Sequence, residues 1–206
     1  MKDKHFIDSH KAVTGLFIVL LMAYFHRWNN VTLWIYLALH GTYGLLWVFK
    51  SSLFPDKQWD HPASLVRGLG FWAGLTGYWV APFIIAIKNV QAPFWVLALS
   101  IFLSIVGTMF HFASDMQKHI ELKTRPNQLI TDGFWRLSRN PNYFGEFLIY
   151  SSFALLAMHW LPWVVLGIVI SVFWIPHMRN KEKSLSRYAE FGDYKARTRS
   201  FIPFLF

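Results

Sequence analysis

A dense run of charged and hydrogen-bonding side chains occupies residues 129–146, between two strongly apolar segments. Arg136 and Arg139 lie three residues apart in this run. The planar guanidinium group of each can bind phosphate oxygens through two parallel hydrogen bonds. The run therefore predicts a phosphate-binding site or, in the simpler interpretation, contact with anionic lipid headgroups at a membrane surface.

An amide and a carboxylate follow at the start of the next apolar segment. The pair Asn140-Pro141 predicts a turn, which places Asn142 and Tyr143 in the first turn of a helix. The N-terminus of a helix favours a bound anion. Glu146 comes one turn after Asn142 and on the same face. A carboxylate just inside a membrane is costly unless it is paired or ligand-bound, although the helix dipole alone also favours an acid at this place.

A third group of candidate side chains lies in the second apolar segment. Tyr36, His40, Tyr43 and Trp47 recur at spacings of four, three and four, which puts them on one helical face. Polar groups within a membrane usually face the interior of the helix bundle. They predict either interhelical hydrogen bonds, worth about 1 kcal/mol or less each, or a substrate pocket in which Tyr36, His40 or Tyr43 donates a proton.

Six apolar segments must position these side chains. Hydrophobic residues make up 54% of the chain and charged residues only 15%, whereas soluble domains are about 25% charged. The segments run over 12–28, 31–49, 65–87, 93–112, 143–160 and 162–178. Each is close to the length of a bilayer span. The pattern predicts an all-α polytopic membrane bundle of about six transmembrane helices, with residues 1–206 forming a single membrane domain.

Charge is distributed unevenly between the two sides of this bundle. The side that holds both termini carries 18 of the 20 Lys and Arg residues and all 11 acidic residues. Basic loops stay in the cytoplasm, so both termini and the long polar segments are expected there. The net charge of +9 is explained by this topology. The expected partners are therefore the lipid bilayer and a hydrophobic small-molecule or lipid substrate, and nucleic acid is not expected; the oligomeric state stays open.

The two long polar segments, 113–142 and 179–206, are expected to close into one pocket. The second segment keeps several aromatic residues, which a disordered tail would have in smaller number. If it folds back onto the first, the two form a basic cavity with aromatic walls at the membrane surface. Such a cavity suits a nucleotide that carries phosphate.

Several other kinds of site are not indicated. The chain has no cysteine, which excludes disulfides, thiolate metal ligands and a cysteine nucleophile. The nine histidines are scattered and form no HExxH pair, so no metal site is predicted. Neither a glycine-rich phosphate loop nor a GxSxG elbow occurs.

Residues 133–146, GFWRLSRNPNYFGE, resemble the signature G-W-W-x-x-x-R-H-P-N-Y-x-G-E/D of the steroid 5-alpha-reductase and sterol reductase superfamily, which includes DUF1295-like proteins. Residues 114–118 resemble the upstream motif of the same group, and residues 191–206 are similar to the end of steroid 5-alpha-reductases. The resemblance covers roughly 105–206. A similar C-terminal architecture is known in isoprenylcysteine carboxyl methyltransferases and phospholipid methyltransferases.

The resemblance implies an NADPH-dependent reductase of a carbon–carbon double bond in a hydrophobic, steroid- or lipid-like substrate. Residues 12–112 would face the substrate, and residues 113–206 would hold the cofactor. Matched position by position, Asp115, Asn142, Glu146 and Tyr188 would bind NADPH, and Arg179 matches across a gap. Together with the patterns above, the predicted cofactor-binding set is Asp115, Lys118, Arg136, Arg139, Asn142, Tyr143, Glu146, Arg179, Glu182, Tyr188 and Tyr194.

Two departures from the reductase pattern keep alternatives open. Asn140 stands where the signature has histidine, and no glutamate precedes Glu121, although steroid 5-alpha-reductases use a glutamate within the membrane. A tyrosine of the segment 31–49, or His40, is expected to take that role. The first alternative is an S-adenosylmethionine-dependent methyltransferase of a lipid or prenylated substrate, although Lys181-Glu182 stands where such enzymes carry two glutamates. The second is a lipid-binding or assembly protein without catalytic activity.

Overall fold

The computed structural model describes residues 1–205, which form long helices joined by short turns. The main helices are α1 (Asp3–Tyr24), α2 (Val31–Leu53), α3 (Leu65–Lys88), α4 (Phe94–Thr124), α5 (Pro141–Leu156), α6 (Trp160–Leu185) and α7 (Phe191–Arg197). π-Helical turns interrupt α2 at Leu37–Gly41 and α6 at Ile170–Trp174. The predicted all-helical fold class is confirmed.

Five of these helices, α1, α2, α3, α4 and α6, are long and apolar enough to cross a membrane. Helix α5 has 16 residues, about 24 Å at 1.5 Å per residue, which is shorter than a hydrocarbon core of about 30 Å. Its predicted end at residue 160 is wrong, because the chain turns at Met158, where φ is +46°. The protein is an integral, multi-pass membrane protein.

The predicted ends of two helices are wrong on their polar sides. Helix α4 extends well beyond residue 112, so Asp115 and Lys118 lie on a helix and not in a loop. Helix α6 extends beyond residue 178, so Arg179 and Glu182 are helical as well. Hydropathy marks where apolar side chains stop, but the polar residues that follow include Lys, Glu, Gln and Met, which favour helix as strongly as Leu does.

Two compact units interleave along the sequence. The N-terminal unit consists of Met1–Ser104 and Tyr150–Leu166, and the C-terminal unit consists of Ile105–Ile149 and Gly167–Phe206. Helices α4, α5 and α6 each contribute residues to both units. The functional division at residue 112 remains a prediction.

Side-chain caps begin two helices of the N-terminal unit. Asn30 Oδ1 accepts the backbone N–H of Leu33 at 2.9 Å, and Ser64 Oγ accepts that of Arg67 at 3.2 Å. These bonds satisfy donors that the first turn of a helix leaves unpaired. The guanidinium of Arg67 also donates to the buried carboxylate of Asp3 at 2.7 Å, so the starts of α1 and α3 are joined by an ion pair.

Two glycines bring α4 and α5 into backbone contact within the C-terminal unit. A Cβ atom on Gly107 would lie 2.6 Å from the carbonyl oxygen of Gly145, and a Cβ on Gly145 would overlap the backbone nitrogen of His111. Small residues allow such close approach between membrane helices. As a result, His111 lies beside the first two turns of α5.

We expect Gly145→Ala to lower the free energy of unfolding by about 1–3 kcal/mol, because its methyl group meets backbone that cannot move aside. The matched change Gly167→Ala adds a methyl group where, apart from its own helix backbone, no atom of residues 1–205 lies within 4 Å, so it should leave stability unchanged or raise it by about 0.5–1 kcal/mol. Unfolding followed by circular dichroism in detergent measures both. Equal stability of Gly145→Ala and the wild-type protein would contradict the close contact.

Candidate functional site

The segment before α5 is hydrogen-bonded to the end of the chain within the C-terminal unit. Ser138 and Arg199 form an isolated parallel bridge. The backbone N–H of Arg139 donates to the carbonyl of Arg199 at 2.8 Å, and the side-chain amide of Asn140 donates to the carbonyl of Ser200 at 2.7 Å. The predicted folding of the tail onto the segment 113–142 is therefore seen at residues 138–140.

Arg139 is the centre of this contact. Its side chain is only 6% exposed. Its Nε donates to Glu182 Oε1 at 2.7 Å, and its Nη1 donates to the carbonyl of Thr198. Lys181 Nζ donates to the carbonyl of Arg139 at 2.6 Å and to Asn140 Oδ1 at 2.9 Å. The guanidinium predicted to bind phosphate thus contacts protein groups, as does the carboxylate of Glu182.

Tyr194 supports the same segment from α7. Its side chain is 2% exposed, and its hydroxyl donates to the carbonyl of Trp135 at 2.7 Å. Burial raises the pKa of Tyr194 above its usual value, so the hydroxyl remains a neutral donor. Lys181 Nζ lies 4.2 Å from the centroid of the Trp135 ring, a cation–π distance. These contacts fix the turn that leads into α5.

The first two turns of α5 carry a polar cluster against α4. His111 Nδ1 lies 3.3 Å from the carbonyl oxygen of Asn142, and His111 Nε2 lies 3.9 Å from Glu146 Oε1. The Oδ1 atom of Asn142 is buried and has no hydrogen-bond partner among residues 1–205. Asp115, one turn after His111 on α4, is also buried. The predicted residues Asn142 and Glu146 are thus brought together, and His111 joins them although the sequence reasoning missed it.

The remaining predicted cofactor-binding residues lie around this cluster or farther from it. Arg136 and Arg179 are exposed, and Lys118 is half-buried. The ring of Tyr143 lies 5.6 Å from that of Trp174, and the hydroxyl of Tyr188 accepts a hydrogen bond from Arg187 at 3.0 Å. Their roles toward a cofactor remain predictions.

The helix-2 candidates are buried in the N-terminal unit, as their spacing predicts. Tyr36, His40 and Tyr43 are each at most 2% exposed. Tyr36 Oη lies 3.0 Å from His40 Nδ1, and the ring of His40 stacks on Phe153 at 4.2 Å between centroids. Their roles as proton donors stay predictions.

Lys11 is a buried cation that the sequence reasoning missed. Its side chain is 4% exposed, and Nζ donates to Tyr150 Oη at 2.6 Å. The same Nζ lies 4.4 Å from the centroid of Tyr43 and 4.7 Å from that of Trp47. Gly44 lets the backbones of α1 and α2 approach closely at Lys11, since a Cβ on Gly44 would overlap the carbonyl oxygen of Lys11.

Charge counting assigned Lys11 to the polar N-terminal segment. Its spacing from three buried residues of α1, namely Ile7, Thr14 and Ile18, reveals its true position. These four residues recur at intervals of four, three and four, which defines one helical face. Applied to α1, the periodicity argument used for helix 2 would have placed Lys11 in the interior.

A cavity in the N-terminal unit lies next to this lysine–tyrosine pair. It has about 10 Å³ of free space, about enough for one water molecule, and it is partly open to the outside. Tyr78 and Tyr150 form one wall, with their rings stacked at 3.9 Å between centroids. The remaining wall is apolar and rich in small residues, namely Gly77, Ala81, Phe153, Ala154, Pro162, Val165 and Leu166. The lining of the cavity is therefore mainly apolar.

The membrane-spanning helices identify the chain as a multi-pass membrane protein. Its buried polar clusters are consistent with a membrane enzyme. The family model described as protein of unknown function (DUF1295) matches residues 58–198. Because this match covers more than half of the chain, the protein belongs to the DUF1295 family. The predicted resemblance to DUF1295-like proteins is confirmed.

One curated relative comes from Schizosaccharomyces pombe and is described as "Uncharacterized protein C7D4.09c". It is 32% identical over 88 residues, which is 39% of this chain and 31% of the yeast protein. The chain thus matches about a third of that relative's length. No solved structure matches the chain.

We expect Arg139→Met to destabilise the C-terminal unit by about 3 kcal/mol or more, because it leaves the mostly buried carboxylate of Glu182 without its guanidinium. Arg197→Met is the matched control, since Arg197 is exposed and its one donated side-chain hydrogen bond within residues 1–205 goes to the carbonyl of Asp193 at 3.3 Å. Thermal unfolding and the rate of proteolytic cleavage after residue 185 report the effect. If the two variants behave alike, Arg139 does not hold the tail.

Proposed function

We propose that the protein is a membrane-embedded, NADPH-dependent reductase of a carbon–carbon double bond in a hydrophobic, steroid- or lipid-like substrate. The observation that carries this proposal is the Oδ1 atom of Asn142, which is buried without a hydrogen-bond partner among the described residues. Such an acceptor costs about 1–3 kcal/mol. Its presence beside Glu146, in the first turns of a helix, favours a ligand with an N–H or O–H donor at this place.

The side chains of the C-terminal unit fit NADPH by their chemistry. Asn142 Oδ1 can accept from the carboxamide of nicotinamide, and the carboxylates of Asp115 and Glu146 can accept from ribose hydroxyls. The exposed guanidinium groups of Arg136 and Arg179 suit its phosphates. We assign Arg139 a positioning role, since its donors already contact Glu182 and Thr198.

When bound, NADPH supplies a hydride for one carbon of a polarised double bond. The residues of this chain bind and orient the two molecules, exclude water and provide a proton. We place the apolar substrate in the N-terminal unit. The buried polar side chains of that unit, among them Tyr36, His40 and Tyr43, are the groups able to donate a proton to a developing oxyanion.

Methyl transfer from S-adenosylmethionine is the alternative. The polar pairs Tyr36–His40 and Lys11–Tyr150 favour the reductase, because saturation of a double bond consumes a proton, whereas methylation of a carboxylate consumes none. Lys181, at the position of one methyltransferase glutamate, holds the backbone of Arg139. Both observations support hydride transfer as the first choice.

Replacing Asn142 by leucine separates the binding role from a structural one. We expect Asn142→Leu to weaken NADPH binding about tenfold, the value of one hydrogen bond of about 1.4 kcal/mol. Without NADPH the variant should unfold at the same or a higher temperature, because leucine removes a buried unsatisfied acceptor. Calorimetric titration and thermal unfolding in detergent measure the two effects, with the exposed Asn29→Leu as the control.

The same titrations decide between the candidate functions. Tight binding of S-adenosylmethionine with no response to NADPH would overturn the reductase proposal in favour of methyl transfer. Absence of binding for both molecules would favour a protein without catalytic activity. Binding of NADPH that is equally tight in Asn142→Leu would show that the cofactor lies elsewhere.

A further inference from the structure

Phe201 holds the tail against the polar ends of two apolar helices in the C-terminal unit. Its ring lies 5.7 Å from that of Phe147 on α5 and 6.4 Å from that of Trp174 on α6, between centroids. No charged residue follows Phe147 within α5, and none precedes Trp174 within α6. The charges begin at Glu146 and Arg179. Phe201 therefore lies at the level where the membrane interior meets its polar surface.

The residues after Phe201 form a tight turn whose sequence is unusual. The backbone N–H of Leu205 donates to the carbonyl of Ile202 at 3.2 Å, so Pro203 and Phe204 are the central residues of the turn. Phe204 has a φ of +67°. Proline second and a positive φ third is the pattern of a type II turn, in which glycine usually takes the third position. A bulky residue with positive φ is strained, so phenylalanine here requires a compensating contact.

Residues 1–205 do not supply that contact. Phe204 is 79% exposed and Leu205 is 70% exposed. Leu205 follows Phe201 by four positions, which an extended chain covers in at most about 14 Å. The exposed apolar pair is therefore close to the level of the lipid, and its insertion among lipid chains would remove apolar surface from water.

Exposed cations precede this turn in the sequence. Between residues 179 and 199 the exposed basic side chains outnumber the exposed acidic ones by six to two. The cations are Arg179, Lys183, Arg187, Lys195, Arg197 and Arg199, and the acids are Glu190 and Asp193. The backbone carbonyl of Arg199 accepts from the N–H of Arg139 at 2.8 Å, two residues before α5 begins. Arg199 is thus at the level of the headgroups, where a cation attracts anionic lipid.

We propose that the tail docks on an anionic leaflet of the surrounding bilayer, with Phe204 and Leu205 inserted among the lipid chains and Arg199 bound to anionic headgroups. The apolar residues alone would enter any bilayer, and the cations select for negative charge. A protein partner fits less well, because the contacts of Phe201 hold the turn at the level of the lipid.

Docking of the tail also steadies the segment that leads into α5. The backbone of Arg199 and Ser200 accepts hydrogen bonds from Arg139 and Asn140. A tail that is held on the leaflet therefore holds these two residues as well. The inference goes beyond the proposed coenzyme site and does not depend on it.

A spin label measures the depth of the turn directly. The chain has no cysteine, so a single one can be introduced for labelling. In nanodiscs of phosphatidylcholine and phosphatidylglycerol, a label on Leu205→Cys should collide more often with oxygen than with a water-soluble nickel complex, because oxygen concentrates in lipid. A label on Ala189→Cys, at an exposed residue between α6 and α7, should show the reverse. If the two labels collide alike, the turn does not enter the bilayer and the proposal is wrong.

Hydrogen–deuterium exchange of residues 199–205 tests the role of the headgroups. We expect slower exchange in these anionic discs than in discs of phosphatidylcholine alone. Arg199→Gln should lose about fivefold of that slowing, which corresponds to about 1 kcal/mol for one cation near an anionic surface. Lys123→Gln, which removes an exposed cation of α4, should keep the slowing.

Phe204→Gly separates insertion from folding, since glycine suits a positive φ. In anionic discs the variant should exchange faster than the wild-type protein at residues 199–205. In detergent it should unfold at the same or a higher temperature, because the turn is no longer strained.

Three results of the exchange experiment overturn the proposal. Equal exchange in both lipid compositions, or slowing that Arg199→Gln retains in full, excludes docking on anionic lipid. Slowing in phosphatidylcholine discs on addition of inorganic phosphate assigns the cations to a soluble anion instead. Slowing that rises with protein concentration in detergent assigns the turn to a second copy of the chain.

Discussion

The C-terminal unit depends on the hydrogen bonds that the buried guanidinium of Arg139 donates. This guanidinium joins residues that are far apart in sequence, since Glu182 lies 43 positions later and Thr198 lies 59 positions later. A guanidinium carries five N–H donors in fixed geometry, so one side chain can hold a carboxylate and a backbone carbonyl together. Helix α5 begins two residues after Arg139. The hydrogen bonds of Arg139 therefore hold the turn that leads to Asn142 and Glu146.

The N-terminal unit differs from the C-terminal unit in that many of its buried polar groups lie within membrane-spanning helices. Polar side chains there are costly unless they pair with one another. Lys11 pairs with Tyr150, and Tyr36 pairs with His40. Aromatic rings pack around both pairs and complete the interior. Such an arrangement keeps proton-donating groups away from water, which strengthens their electrostatic interactions.

The sequence alone predicts the helical membrane fold, because apolar runs of bilayer length have few other solutions. It also predicts that the segment 113–142 meets the tail, which the structure shows at residues 138–140, and that Tyr36 and His40 face the interior. The sequence prediction ends α4 and α6 too early, since hydropathy does not detect helix formed by polar residues. The pairing of Arg139 with Glu182 is a tertiary contact that no local sequence pattern indicates. The chemistry of the guanidinium group alone therefore led to the prediction that Arg139 binds phosphate. Lys11 and Tyr150 meet across 139 residues, and no periodicity within either helix reveals that meeting.

The proposed function requires that residues 138–146 and the tail from 179 to 200 bind a coenzyme together. Hydrogen–deuterium exchange of the full chain in lipid nanodiscs, with and without NADPH, tests it most directly. We expect slower exchange in both stretches when NADPH is added, and no change with S-adenosylmethionine. Slowing in only one stretch, or slowing with S-adenosylmethionine alone, would contradict it.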